Sequence, residues 1–198
     1  MKKLFSAIVL AMTMCIGASA QNAEVCWSGS IPAVNGSLYD RSFGSQNRDF
    51  YSLGLGFNRF VPFSKNGPWK LALGVNFQYG FSSGNNDYSS QFSKFQFPLS
   101  LVYVVSSEED VEFDPYAGFN VTYFTSGESE IGNSRIDWFP GCNSWNAGFH
   151  LGVDLVVSGF VMGFEYQHDL TNFCSKKVKG TMCTQKWQAM SVKVGYRF

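Results

Sequence analysis

The chain has 198 residues, 15 basic against 15 acidic, with aromatics at 17% and charged residues at only 15%, against the ~25% charge usual for soluble domains. That balance leaves no basic stripe for nucleic acid and no polybasic patch for a membrane surface. Beyond the first twenty residues no stretch approaches the ~18 apolar residues of a membrane-spanning helix, and the length suits one domain.

Residues 1–20 stand apart. Lys2 and Lys3 precede an apolar run from Leu4 to about Ile16, which ends in Ala18-Ser19-Ala20. A positive start, a short apolar centre and small residues before the cut predict a cleavable secretory signal peptide over 1–20. The run is too short for a membrane anchor, which needs ~20 residues. Met14 before Cys15 does not suit a lipoprotein signal. The mature domain is expected to cover 21–198, with 13 basic against 15 acidic residues and a net charge of −2.

From there the dominant signal is period two, which marks β-strands with unlike faces. A first strand is expected near 23–31, ended early by Pro32. A second covers 50–63. The third, 69–81, carries Trp69, Leu71, Leu73, Val75, Phe77, Tyr79 and Phe81 on one face, and Lys70, Ala72, Gly74, Asn76, Gln78 and Gly80 on the other. Strands at 92–105 and 114–126 follow. The segment 145–157 alternates again, with Leu151 and Leu155 against His150 and Asp154. A strand at 160–172 precedes the last, 189–198, where Met190, Val192, Val194, Tyr196 and Phe198 share a face. The strand count is eight, and no helical periodicity competes.

The connections alternate in length. Ser64 to Pro68, Ser106 to Glu112, and Ser158-Gly159 are short, with Asn-Gly and Ser-Gly turn chemistry. The segments 33–49, 82–91, 127–144 and 173–185 are mostly longer and polar. Short turns at one end and long loops at the other fit an outer-membrane barrel with its turns in the periplasm.

Alternation alone does not say which face is wet, since a secreted lipocalin-like ligand-binding barrel alternates too. Here the polar face is mostly Gly, Ala, Ser, Asn and Gln, which suits a narrow lumen better than open water. Aromatics gather near strand ends, including Tyr51, Tyr79, Tyr123 and Trp145 near the loops and Trp69, Tyr103, Tyr196 and Phe198 near the turns. Such belts sit at lipid headgroups.

The chain ends in Val192-Lys193-Val194-Gly195-Tyr196-Arg197-Phe198. A final Phe198 with Val194 and Tyr196 at alternate positions resembles the signature that the barrel-assembly machinery reads on its substrates. The mature chain resembles the small outer-membrane β-barrel domain family, the eight-stranded OmpA/OmpX-like group. The resemblance implies an all-β, eight-stranded antiparallel up-and-down transmembrane β-barrel in the bacterial outer membrane. Its expected partners are the lipid bilayer, lipopolysaccharide and, during biogenesis, the assembly machinery. No cofactor is expected.

Lys70, Lys94, His150, Asp154, Glu165, Asp169, Lys193 and Arg197 fall on the lumen face. Balanced charges in a narrow lumen are expected to form an internal ion-pair network that plugs it. A narrow channel is the alternative. A lipid-modifying enzyme is a further one, but His150 and Asp154 lie about 13 Å apart along a strand, and no serine is fixed beside either histidine. Of Cys26, Cys142, Cys174 and Cys183, the pair Cys174 and Cys183 bounds one loop and is a possible disulfide; three connectivities stay open. The spacing fits no metal site. Glu128, Glu130, Arg135, Asp137, Trp138 and Phe139 make 127–144 either a binding surface or a packed rim, and the lysines at 176, 177 and 179 could meet lipopolysaccharide phosphates. The expected role is non-enzymatic, structural or interactive.

Overall fold

A computed structural model describes residues 23–37, 48–49, 51–64, 67–83, 88–108, 111–131, 134–139, 142–178 and 181–198. The expected signal peptide lies outside them. Eight long strands carry the fold: β1 (Ala23–Ser37), β2 (Tyr51–Pro62), β3 (Trp69–Ser83), β4 (Tyr88–Tyr103), β5 (Val111–Ile131), β6 (Trp145–Val157), β7 (Phe160–Asp169) and β8 (Thr181–Arg197). Each pairs antiparallel with the next in sequence, as hairpins dictate. The ring closes where β8 returns to β1, from Glu24↔Arg197 to Ser37↔Thr184. Closure leaves the eight-strand barrel without free edges, so its backbone groups are satisfied inside the sheet.

The pleat sorts the side chains as the period-two pattern requires. On β6 Asn146, His150 and Asp154 are buried inward, while Trp145, Leu151 and Leu155 are exposed outward. On β8 Met190, Val192, Val194, Tyr196 and Phe198 all face out. The outer surface is therefore a continuous apolar belt, far larger than a water-facing sheet tolerates. Aromatic pairs edge it at both ends. Tyr51 meets Phe81 at 6.3 Å and Tyr123 meets Trp145 at 4.5 Å at the loop end. Trp69 meets Tyr103 at 4.7 Å at the turn end.

The tightest turn is Ser158-Gly159, with φ of +49° and +85°. Two positive φ values define the turn whose twist matches a hairpin. A Cβ on Gly159 would sit 2.9 Å from the Tyr196 ring and 3.0 Å from the Arg197 carbonyl, so the position is closed to side chains.

Several expected loops are strand. Pro32 does not end β1. The ladder with β2 reaches Ser30↔Ser52, the same register holds at Ala33↔Asp49 and Val34↔Arg48, and on the other side β1 runs on against β8 through Pro32↔Ala189. The segment 127–144 continues β5 to Ile131 and folds back as the strand Ser134–Asp137. The segment 173–185 is likewise a hairpin, Cys174–Val178 against the start of β8. Two further short strands flank the barrel, Arg48–Asp49 on β1 and Val105–Glu108 on β5.

A bulge re-aims β5. The register passes from Ser93↔Ser126 to Lys94↔Phe124, leaving Thr125 over. The extra residue flips the faces beyond it. Phe124 points inward below the bulge, Gly127 and Ser129 are the buried positions above it, and Glu128 turns outward.

Candidate functional site

Polar side chains converge in the lumen, which is built in tiers. At the turn end Phe60, Ala72, Val102 and Tyr116 form an apolar floor. Arg197, from the end of β8, lies over the Phe60 ring at 4.4 Å. Its guanidinium donates to Asp114 at 2.5 Å and to Glu112 at 3.0 Å on β5, across the barrel. Lys70 approaches Glu112 at 4.0 Å.

Above the floor is a cavity of about 50 Å³, lined by Gln78, Ser100, Tyr116, Asp154, Glu165 and Lys193 among others. At the ~10–15 Å³ that one water needs, it has room for a few waters and no more. Lys193 reaches Asp154 at 2.7 Å and lies over the Tyr116 ring at 5.0 Å. The Tyr116 hydroxyl donates to Glu165 at 3.2 Å.

Ser100 and His150 stand 2.7 Å apart through Oγ and Nε2, both buried. Sequence position fixed no serine beside this histidine; the packing of β4 across from β6 does. The pair has the reach of a nucleophile and its base. Yet the His150 Nδ1 finds no hydrogen-bond partner among the described residues, so no carboxylate orients the ring as a triad requires. Above it Gln96 donates to Gln167 at 2.8 Å, and Gln167 to Asp169 at 3.2 Å.

At the loop end the lumen is sealed by Phe92, Phe124, Phe173 and Trp187, with Trp138, Phe139 and Cys142 packed on them. Phe92 and Trp187 meet edge-on at 4.8 Å, and Phe124 and Phe173 at 4.8 Å. Lys94 sits under this lid, fully buried, its Nζ 5.1 Å from the Trp187 ring and 5.8 Å from Phe124. Its Nζ has no hydrogen-bond partner among the described residues, and the acids that act on it are Asp169 and then Glu165. Cation–π contacts of this kind grow stronger where water is absent.

The eight lumen residues named by the sequence thus fall into tiers rather than one network. Lys94 and Asp169 are under the lid, His150 is central, Asp154, Glu165 and Lys193 ring the cavity, and Lys70 and Arg197 hold the floor. Glu112 was missed because 106–112 reads as a turn, and Asp114, the first residue of the expected 114–126 strand, was missed beside it. The lid aromatics carried a usable signal. Phe92, Phe124 and Trp187 share strand parity with the buried Lys94, Thr122 and Ala189, not with the outward apolar face.

On the rim Trp138 is not a free aromatic. Its Nε1 donates to Ser129 at 2.8 Å, and its ring packs on Phe92 and Phe173. Outside it, Arg135 and Gln91 both bond Glu128. The Arg135 guanidinium, then Gln91, holds the Glu128 carboxyl below the usual carboxylate range. Cys174 lies opposite Gln185 and Cys183 opposite Lys176; their side chains fall outside the described residues, as do those of 176, 177 and 179.

No family model and no curated protein matches the chain. Among solved structures, the Neisserial surface protein A (NspA) superposes with a TM-score of 0.56 at 15% identity, over 91% of this chain and 98% of that one. The chain has the fold of a small outer-membrane β-barrel. Other barrels of that kind align with less overlap. The attachment invasion locus protein Ail of Yersinia pestis gives a TM-score of 0.49 at 12% identity, over 89% of this chain and 97% of that one. The outer membrane enzyme PagL gives 0.48 at 16%, over 86% and 99%.

Proposed function

We propose that this protein is an integral barrel of the bacterial outer membrane, exported by residues 1–20, with a plugged lumen and a non-enzymatic structural or interaction role. One observation supports the reading: aromatic side chains around Trp187 pack across the loop end, the Arg197 ion pairs cross the turn end, and the cavity between them holds only about 50 Å³. A conducting pore needs an open path, and an acyl-modifying site needs one to its substrate. Ser100 and His150 are buried beside that small cavity. The loop end instead raises two β-hairpins above the belt, 127–137 and 174–185, which is where a partner could be met.

In this reading the turn end faces the periplasm, the belt contacts the bilayer, and the loop end meets lipopolysaccharide. Val194, Tyr196 and Phe198 face outward on the last strand, free to be read by the assembly machinery before insertion. The test combines fractionation, gel mobility of unboiled against boiled samples, and planar-bilayer recording. The protein should sit in outer membranes, migrate faster unboiled, and give no conductance. Steady channel steps would overturn the plug. A changed lipid A mass spectrum on expression, abolished by Ser100→Ala, would overturn the non-enzymatic role.

A further inference from the structure

Two hairpins rise at the loop end, and the backbone brings Cys142, in the connection after the first, opposite Cys174 at the start of the second. Cys142 is a single-residue β-bridge just before β6. The Asn143 N–H donates to the Phe173 carbonyl at 2.7 Å, and the Asn143 side-chain amide donates to the Asn172 carbonyl at 2.9 Å. In an antiparallel ladder, a bond from the residue after i to the residue before j makes i and j a directly opposed, non-hydrogen-bonded pair. Here i is Cys142 and j is Cys174. Such pairs hold their Cα atoms about 4.5 Å apart, inside the ~4.4–6.8 Å span of disulfides.

The other pairings fit less well. Cys174 opposes Gln185 and Cys183 opposes Lys176, so Cys174 and Cys183 are diagonal neighbours at about 7–8 Å, beyond that span. Cys26 is buried at the turn end with Val156 and Val161, a barrel's length away.

We propose that Cys142 and Cys174 are joined by a disulfide that clamps the β5–β6 loop to the β7–β8 loop over the lumen. The clamp has a purpose in this fold. Cys142 packs on the aromatic lid, and Phe173, a lid residue, immediately precedes Cys174. A bond between them fixes both flanks of the lid. The proposal rests on the export reading, because the oxidant must come from a compartment that keeps disulfides. That oxidant is a protein disulfide of the thiol-oxidoreductase class. One thiolate attacks it to form a mixed disulfide, and the second thiolate displaces it. Two protons leave, two electrons reduce the oxidant to its dithiol, and the S–S bond forms.

The experiment is peptide mapping of full-length protein from the outer-membrane fraction, alkylated under denaturing conditions without reductant. The expected result is a linked peptide pair holding Cys142 and Cys174, lighter than the two free peptides by two hydrogens and separated by reductant. Cys183 should carry the alkyl label, and Cys142→Ser should leave Cys174 labelled too. A Cys174–Cys183 link, or label on all three, overturns the pairing. Failure of the export reading shows separately, as absence from that fraction. The pairing is then decided on detergent-refolded protein in a glutathione redox buffer, where a link other than Cys142–Cys174 overturns it.

Discussion

Arg197 on the last strand donates across the barrel to Asp114 on β5 at 2.5 Å, and Asp114 is wholly buried. Removing the arginine leaves a buried carboxylate short of its main partner. Breaking such a pair from one side costs about 3–5 kcal/mol. Arg197→Ala should therefore lower the unfolding free energy in detergent micelles by that order. Asp114→Asn in the same background should restore part of it. A double-mutant cycle giving coupling below about 0.5 kcal/mol, the scatter of independent sites, would refute the pair.

The lid makes a second prediction. Lys94 is held under Trp187, Phe92 and Phe124, with Asp169 the acid that acts on it most strongly. Lys94→Met alone leaves the Asp169 charge buried without that cation and should destabilise more than Lys94→Met with Asp169→Leu, which removes both charges. Trp187→Ala should lose about 3–5 kcal/mol as a large-to-small change. Equal losses in the single and double lumen variants would show that the two charges do not depend on each other.

The direction of the apolar face can be tested at Leu151, exposed at the middle of β6. Arginine at a lipid-facing midplane position costs about 2–4 kcal/mol, and near an interface about 0–1. Leu151→Arg should cost several times more than Phe160→Arg, beside the Ser158-Gly159 turn. A flat profile along the strand would mean that the belt meets water.

The rim hairpin should respond to acid. Glu128 has its carboxyl held below the ordinary range by Arg135, so its stabilisation is present above the unfolded value and is lost as pH falls through the lower folded one. Protection factors of the amides in 127–137, taken against the intrinsic exchange rate at each pH, should fall in acid before those of the barrel do. Because the pair is at the surface, salt should weaken the effect. Arg135→Ala should raise the Glu128 titration midpoint seen by NMR; an unmoved midpoint would sink the attribution.

Much of the barrel was legible because a strand announces its faces locally. Trp69 to Phe81 and Trp145 to Val157 each carry enough alternation to fix strand, face and approximate ends. Phe92 and Trp187 show their lumen parity, but parity does not say which residues of other strands they meet, so the lid they form together stays hidden. Residues 127–137 and 174–178 read as loops because their alternation is weak, and their strand state comes from pairing with β5 and β8, not from propensity.

From the sequence alone come eight strands with two unlike faces, because alternation depends on neighbours two residues away, and their order, because short turns join antiparallel neighbours. Only the closed barrel decided which groups meet: Arg197 with Asp114, Ser100 with His150, Lys94 with Trp187, and the Asn143 N–H with the Phe173 carbonyl. The first three span strands that never pair. They are set by where the sheet closes on itself and by the bulge at Thr125, neither of which has a local signal.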